Sequence, residues 1–316
     1  MRILGLLLVG LSLGGCDQQP RQALAGTIGS AAASRTRDNA ARADARDNAA
    51  PGAAGRAPAA AAAPPRASDF EQPAIDARTG CPEGMAPIAN YCVDRFEAHL
   101  WREQADGKLE LHPAHERPLG ETRFFARSRE RVRPQAYISQ VEAALACQNA
   151  GKRLCSAAEW YEACQGSKHT TYPYGSHFER RRCNVGKPHL LSRLHGANPG
   201  AWRYAEDFND PRLDQEPGFL ALTGEYADCA SDYGVYDMVG NLHEWVGDRA
   251  TADLAKVIPL KAEIRNSLRR RGGNGVFLGG FFSTTSEHGP GCRFATVAHE
   301  PTYHDYSTGF RCCRDK

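Results

Sequence analysis

Eleven cysteines and a stretch of hydroxyls and imidazoles near the C-terminus are the residues of this 316-residue chain whose types could do chemistry. Thiols offer disulfides, soft metal ligands or nucleophiles, and imidazoles offer proton transfer or metal ligation. That many cysteines are unusual in a reducing cytosol unless metal motifs explain them, and no CxxC pair is present. Ten of them (Cys81, Cys92, Cys147, Cys155, Cys164, Cys183, Cys229, Cys292, Cys312 and Cys313) lie from residue 81 onward. Ten is even, as a full disulfide set requires. The later polar residues are Ser283, Thr284, Thr285, Glu287, His288, His299, Tyr303, His304 and Asp305. Brought together in one cleft they would suit a peptide, a sugar or a metal, although a histidine picked from sequence is more often a hydrogen-bonding or surface residue.

The eleventh cysteine sets the compartment. Met1-Arg2 and the apolar run Ile3 to Leu13 read as a signal peptide, too short for a permanent membrane span. Leu13-Gly14-Gly15-Cys16 resembles a bacterial lipobox, so Cys16 is expected to become an acylated mature N-terminus that ties the protein to a bilayer outside the cytoplasm. Residues 17–79 are rich in Ala, Arg and Pro with almost nothing large to bury, and are expected to form a disordered linker. A coil of that length has an r.m.s. reach of about 45 Å, enough to hold a folded head clear of lipid. The head is assigned to 80–316, roughly 240 residues that can bury a real core. A formal charge of +2, with Lys and Arg scattered among acids, excludes nucleic acid as the expected partner.

Two helix starts are legible in the head. Ser139-Gln140-Val141-Glu142 and Ser156-Ala157-Ala158-Glu159 are capping boxes, in which the serine accepts from the N3 amide and the glutamate reaches back. The first helix is expected to bury Val141, Ala144 and Leu145 and to close at Gly151; the second runs through Trp160, Tyr161 and Ala163 toward Gly166. Strand-like stretches stand at 276–278 and 309–312, so the class is α+β with little regular structure.

A series of phrases resembles the formylglycine-generating enzymes, or sulfatase-modifying factors, in that family's order. They are Cys81-Pro82-Glu83-Gly84-Met85, Tyr91-Cys92-Val93-Asp94-Arg95-Phe96-Glu97, Gly151-Lys152-Arg153-Leu154, Tyr172-Pro173-Tyr174-Gly175 and Cys183-Asn184-Val185. The most specific is Tyr233 to Trp245, ending Gly240-Asn241-Leu242-His243-Glu244-Trp245, and Gly279-Gly280 and Gly309-Phe310-Arg311-Cys312 close the series. The resemblance implies a C-type-lectin-like fold. It also implies calcium held by the side chains of Asp237 and Glu244 and the carbonyls of Gly240 and Leu242, with a second ion starting at Asn184 and the carbonyl of Val185. Without an ion the same residues read as a glycine turn, Asp237 a local cap and Trp245 in the core.

Disulfides follow from the same resemblance: Cys147 with Cys312 and Cys164 with Cys292. Cys81 with Cys92 is expected by proximity, and among the remaining four the favoured pairs are Cys155 with Cys313 and Cys183 with Cys229. In active members two cysteines after the paired glycines bind copper(I), and one of them engages a substrate cysteine. Counted from Gly279-Gly280, those positions fall on Thr284 and on or near Gly289, so copper is not expected. The expected function is a membrane-anchored module that binds a peptide, protein or glycan. The alternatives are a divergent cysteine oxidase, a non-haem-iron enzyme using His288, His299, His304 and Glu287, or a structural envelope protein.

Overall fold

The computed structural model describes residues 73–316; the signal segment, Cys16 and nearly all of the linker lie outside it. The described chain opens with β1 (Ile75–Asp76), ahead of residue 80, paired to β2 (Cys81–Pro82). There follow β3 (Met85–Ile88), β4 (Tyr91–Asp94), β5 (Ala98–Glu103), β6 (Leu109–Leu111) and β7 (Phe124–Ser128). Next are α1 (Gln140–Asn149), β8 (Arg153–Leu154), α2 (Ala157–Gln165) and a short α3 (Leu190–Leu194). β9 (His243–Arg249), α4 (Leu254–Val257), α5 (Ala262–Ser267), β10 (Gly275–Leu278), β11 (Ala295–Thr296), β12 (Thr308–Phe310) and β13 (Cys312–Asp315) complete the order. The three short helices α3, α4 and α5 come in addition to the two read from sequence. Their segments carry neither a capping box nor a sustained apolar period, so nothing local announces them.

Three sheets do most of the positioning. One has the order β11-β10-β9-β12, with β12 parallel to β9; a second runs β3-β4-β13-β8 and a third β6-β5-β7. The stretch read as one strand at 309–312 is split at Arg311, so that β12 and β13 join different sheets and Arg311 faces the space between them. Both helices start as their capping boxes require: Ser139 accepts from Glu142 N–H and Ser156 from Glu159 N–H, and each glutamate accepts from its serine's N–H. α2 ends at Gly166, with φ +67°, where an added Cβ would lie 2.4 Å from Asp232 Oδ1.

α1 does not bury the face expected of it. Val141 and Leu145 are exposed, at 48% and 55%, and the buried residues are Gln140, Ala143, Ala146 and Cys147. The reason is close approach: α1 packs on β7 and β8, where small side chains fit. Gln140 Nε2 donates to the carbonyls of Val246 and Asp248, and Cys147 is bonded to Cys312.

All ten described cysteines form disulfides: Cys81–Cys92, Cys147–Cys312, Cys155–Cys313, Cys164–Cys292 and Cys183–Cys229, the pairs set out above. Trp160 and Trp245 are wholly buried, each in a different apolar cluster. Trp245 Nε1 donates to Ile138 O at 2.9 Å, which satisfies its one polar atom. Among the described residues no helix is long and apolar enough to cross a membrane.

Candidate functional site

The turn from Asp237 to Glu244 closes a buried polar cluster. Asp237, Gly240 and Asn241 all have positive φ, and a Cβ at Gly240 would lie 2.1 Å from the Asn184 carbonyl, so only glycine allows the two backbones to meet there. Asn241 N–H donates to that carbonyl at 2.8 Å. Glu244, at the head of β9, accepts from Arg311 Nη2 and Nε, both at 2.6 Å, and from Trp160 Nε1 at 2.8 Å. Arg311 also donates to the carbonyls of Asp94 and Tyr236. Asp237 accepts from Gly224 N–H at 2.6 Å, and Glu97 accepts from Asn241 Nδ2 and Leu242 N–H.

Three buried carboxylates therefore surround one guanidinium. Burial, reinforced by Asp237 and Glu244, holds the Glu97 carboxyl well above the usual range, and burial also raises that of Asp237. Burial works against the charge on Arg311, but Glu244 outweighs it and raises the pKa of the guanidinium. Asp237, Glu244 and the two implied carbonyls are hard oxygen donors of the kind calcium takes, with both oxygens of Glu244 already accepting from Arg311 and Trp160.

At the second implied set Asn184 leaves one buried oxygen uncommitted. Asn184 turns its Nδ2 toward Phe219 O (2.8 Å) and Asn241 Oδ1 (2.7 Å), leaving its own Oδ1 buried without a partner. Lys187 Nζ donates to the same Phe219 carbonyl at 2.7 Å. Val185 also lines the neighbouring cleft.

That cleft, about 1140 Å³, is where Thr284 stands. Thr284 is buried, its Oγ1 accepts from Phe281 N–H at 2.9 Å, and an added Cβ at Gly280 would strike it. Gly289 has φ +124°, and a Cβ there would lie 2.2 Å from Arg293 O, so a cysteine at 289 requires the loop to move. Thr285 and Ser286 add hydroxyls to the wall, and Tyr172, Tyr226 and Phe294 add rings.

The three candidate histidines do not gather there. His288 edges onto Phe294, His299 stacks on Tyr303 at 3.7 Å, and His304 accompanies Tyr204. None of the three lines the cleft. Among the described residues no three His, Cys, Asp or Glu side chains are grouped to hold a metal, so the iron set from Glu287, His288, His299 and His304 is not assembled. Burial lowers His299 to about 4 and also lowers His304. His243, on β9 beside the turn, is buried between Phe277, Phe281 and Phe294, and burial lowers it to about 3.

Sequence reading missed Glu97 and Arg311 as site residues, although both stood within quoted phrases. It also missed Arg180, Arg181, Lys187 and Tyr226 of the cleft, which lie in or beside a segment with no motif to flag them.

The fold and site define a disulfide-stapled α+β protein with a polar hub beneath a cleft that has no free thiol. The Sulfatase-modifying factor enzyme 1-like domain family (FGE-sulfatase) matches residues 89–316, and the chain belongs to that family, with its C-type-lectin-like fold. The formylglycine-generating enzyme of Thermomonospora curvata is 27% identical over 187 residues, covering 58% of this chain and 55% of that one. The inactive C-alpha-formylglycine-generating enzyme 2 of Bos taurus is 30% identical over 122 residues, covering 38% of this chain and 34% of that one. The chain thus spans little more than half, or less, of these curated relatives. Among solved structures, PvdO from Pseudomonas aeruginosa is 14% identical with a TM-score of 0.40, covering 72% of this chain and 80% of that one.

Proposed function

We propose that this protein is a lipid-anchored, extracytoplasmic member of the formylglycine-generating-enzyme family that holds a ligand in its cleft and does not oxidise cysteine. One observation carries the reading: every cysteine of the described domain is in a disulfide, and the residue in the cleft after the paired glycines is Thr284. Copper(I) needs soft sulfur donors, which a threonine hydroxyl does not supply. The match to a relative described as inactive supports the same reading. Cys16, outside the described residues, would carry the acyl chains, and the residues from 17 to the start of β1 would space the domain from the bilayer. Calcium, where bound, would supply fixed positive charge to the turn through Asp237, Glu244 and the carbonyls of Gly240 and Leu242.

The test is to incubate the full chain with a sulfatase-type cysteine peptide, with and without copper(I), and to follow the peptide by mass spectrometry. The thiol is expected to persist. An aldehyde at that cysteine that depends on this protein would overturn the reading.

A further inference from the structure

Resting on the reading of the cleft as a binding site, we infer that its ligand is an acidic peptide segment, recognised by Arg180 and Arg181 at the mouth and by the aromatic wall behind them.

The first observation is an imbalance of charge. Arg180, Arg181 and Lys187 line the cleft, and no Asp, Glu, Asn or Gln does. In the run Arg180-Arg181-Arg182 only Arg182 has acid partners, Glu179 at 2.9 Å and Asp228 at 3.7 Å, and it turns away over the Tyr174 ring. Arg180 and Arg181 are exposed and make no ion pair among the described residues. The nearby acids are engaged elsewhere: Glu287 accepts from Thr285 N–H, and Glu225 bonds Leu222 N–H. Two free guanidinium forks beside a fixed ammonium match carboxylates, which Arg can hold with paired hydrogen bonds.

The second observation is the wall. Tyr172 packs at 5.5 Å on Tyr174 and at 5.9 Å on Phe178, and Phe178 is 54% exposed at the mouth. An exposed aromatic beside unpaired arginines suits a side chain that brings apolar surface together with negative charge. A neutral sugar is a poorer match, because no acidic or amide side chain lines the cleft to accept from its hydroxyls.

The test uses the full chain and a short fluorescent peptide of Glu and Ser with one central Phe, read by anisotropy. Binding is expected to weaken with salt, to be lost when Gln replaces Glu, and to fall about tenfold in Arg180→Ala/Arg181→Ala. Charge reversal, Arg180→Glu/Arg181→Glu, should move the preference to the Lys version of the peptide. Equal binding of the Gln peptide, wild-type binding by both double variants, or preference for a heparin oligosaccharide would overturn the inference. None of these outcomes turns on aldehyde formation, so the non-oxidising reading stands or falls separately.

Discussion

Arg311 is wholly buried and commits its guanidinium to Glu244 and to the carbonyls of Asp94 and Tyr236. Truncating it would leave Glu244 unpaired beside Glu97 and Asp237. Arg311→Met is therefore expected to cost about 3–5 kcal/mol in urea unfolding, while an apolar replacement of both partners should recover part of the loss. A loss below about 1 kcal/mol would show that the cluster is neutralised by other means. Asp214 presents the opposite case: it is fully buried, neither carboxylate oxygen has a partner, and burial holds its carboxyl well above the usual range. The folded state therefore keeps a proton that the unfolded state releases above about pH 4, so this residue's contribution is full below that pH and is lost as pH rises through the folded value. Asp214→Asn is expected to raise stability at neutral pH by about 1–3 kcal/mol, and the gain should shrink toward pH 4. A gain independent of pH would rule out this origin.

At the scale of elements, α1 separates two kinds of position. Leu145 is exposed, so Leu145→Glu should change stability by no more than about 0.5 kcal/mol. Ala146 faces the sheet with almost no exposure, and Ala146→Leu should cost about 1–3 kcal/mol by overpacking. Thermal unfolding of the two variants checks the assignment, and the reverse ranking would put the other face of α1 inward.

Across the whole molecule the long-range constraints are covalent and ionic. Cys147–Cys312 and Cys155–Cys313 close separations of 165 and 158 residues and tie α1 and the start of α2 to the last strand. Replacing Cys147 and Cys312 together by alanine should cost about 2–5 kcal/mol. An ion that binds only the folded state stabilises by mass action, so added calcium should raise the melting temperature of the wild type and raise it less in Glu244→Gln. A melting temperature that does not respond to calcium or to chelation would leave Arg311 as the cluster's sole counter-charge.

The sequence by itself determined what rests on near neighbours or on residue type. The capping boxes at Ser139 and Ser156 need only residues three apart, the parity of the cysteines needs only counting, and the ordered phrases from Cys81 to Cys312 mark the family because each preserves a local turn or packing pattern. The lack of a thiol at Thr284 was equally legible, since it depends on identity and a short count from Gly279-Gly280. Only the tertiary structure decided which face of α1 is inward, because that depends on Cys312 and Val246, each more than a hundred positions from its partner on α1, and on how β7 and β8 pack against the helix. It also decided that Glu97, 147 positions before Glu244, joins Asp237 around Arg311, and that Lys187 meets the Phe219 carbonyl. The unpaired arginines of the cleft were hidden for the same reason. A charge in a loop without periodicity reads as solvated surface until the fold shows which acids are within reach.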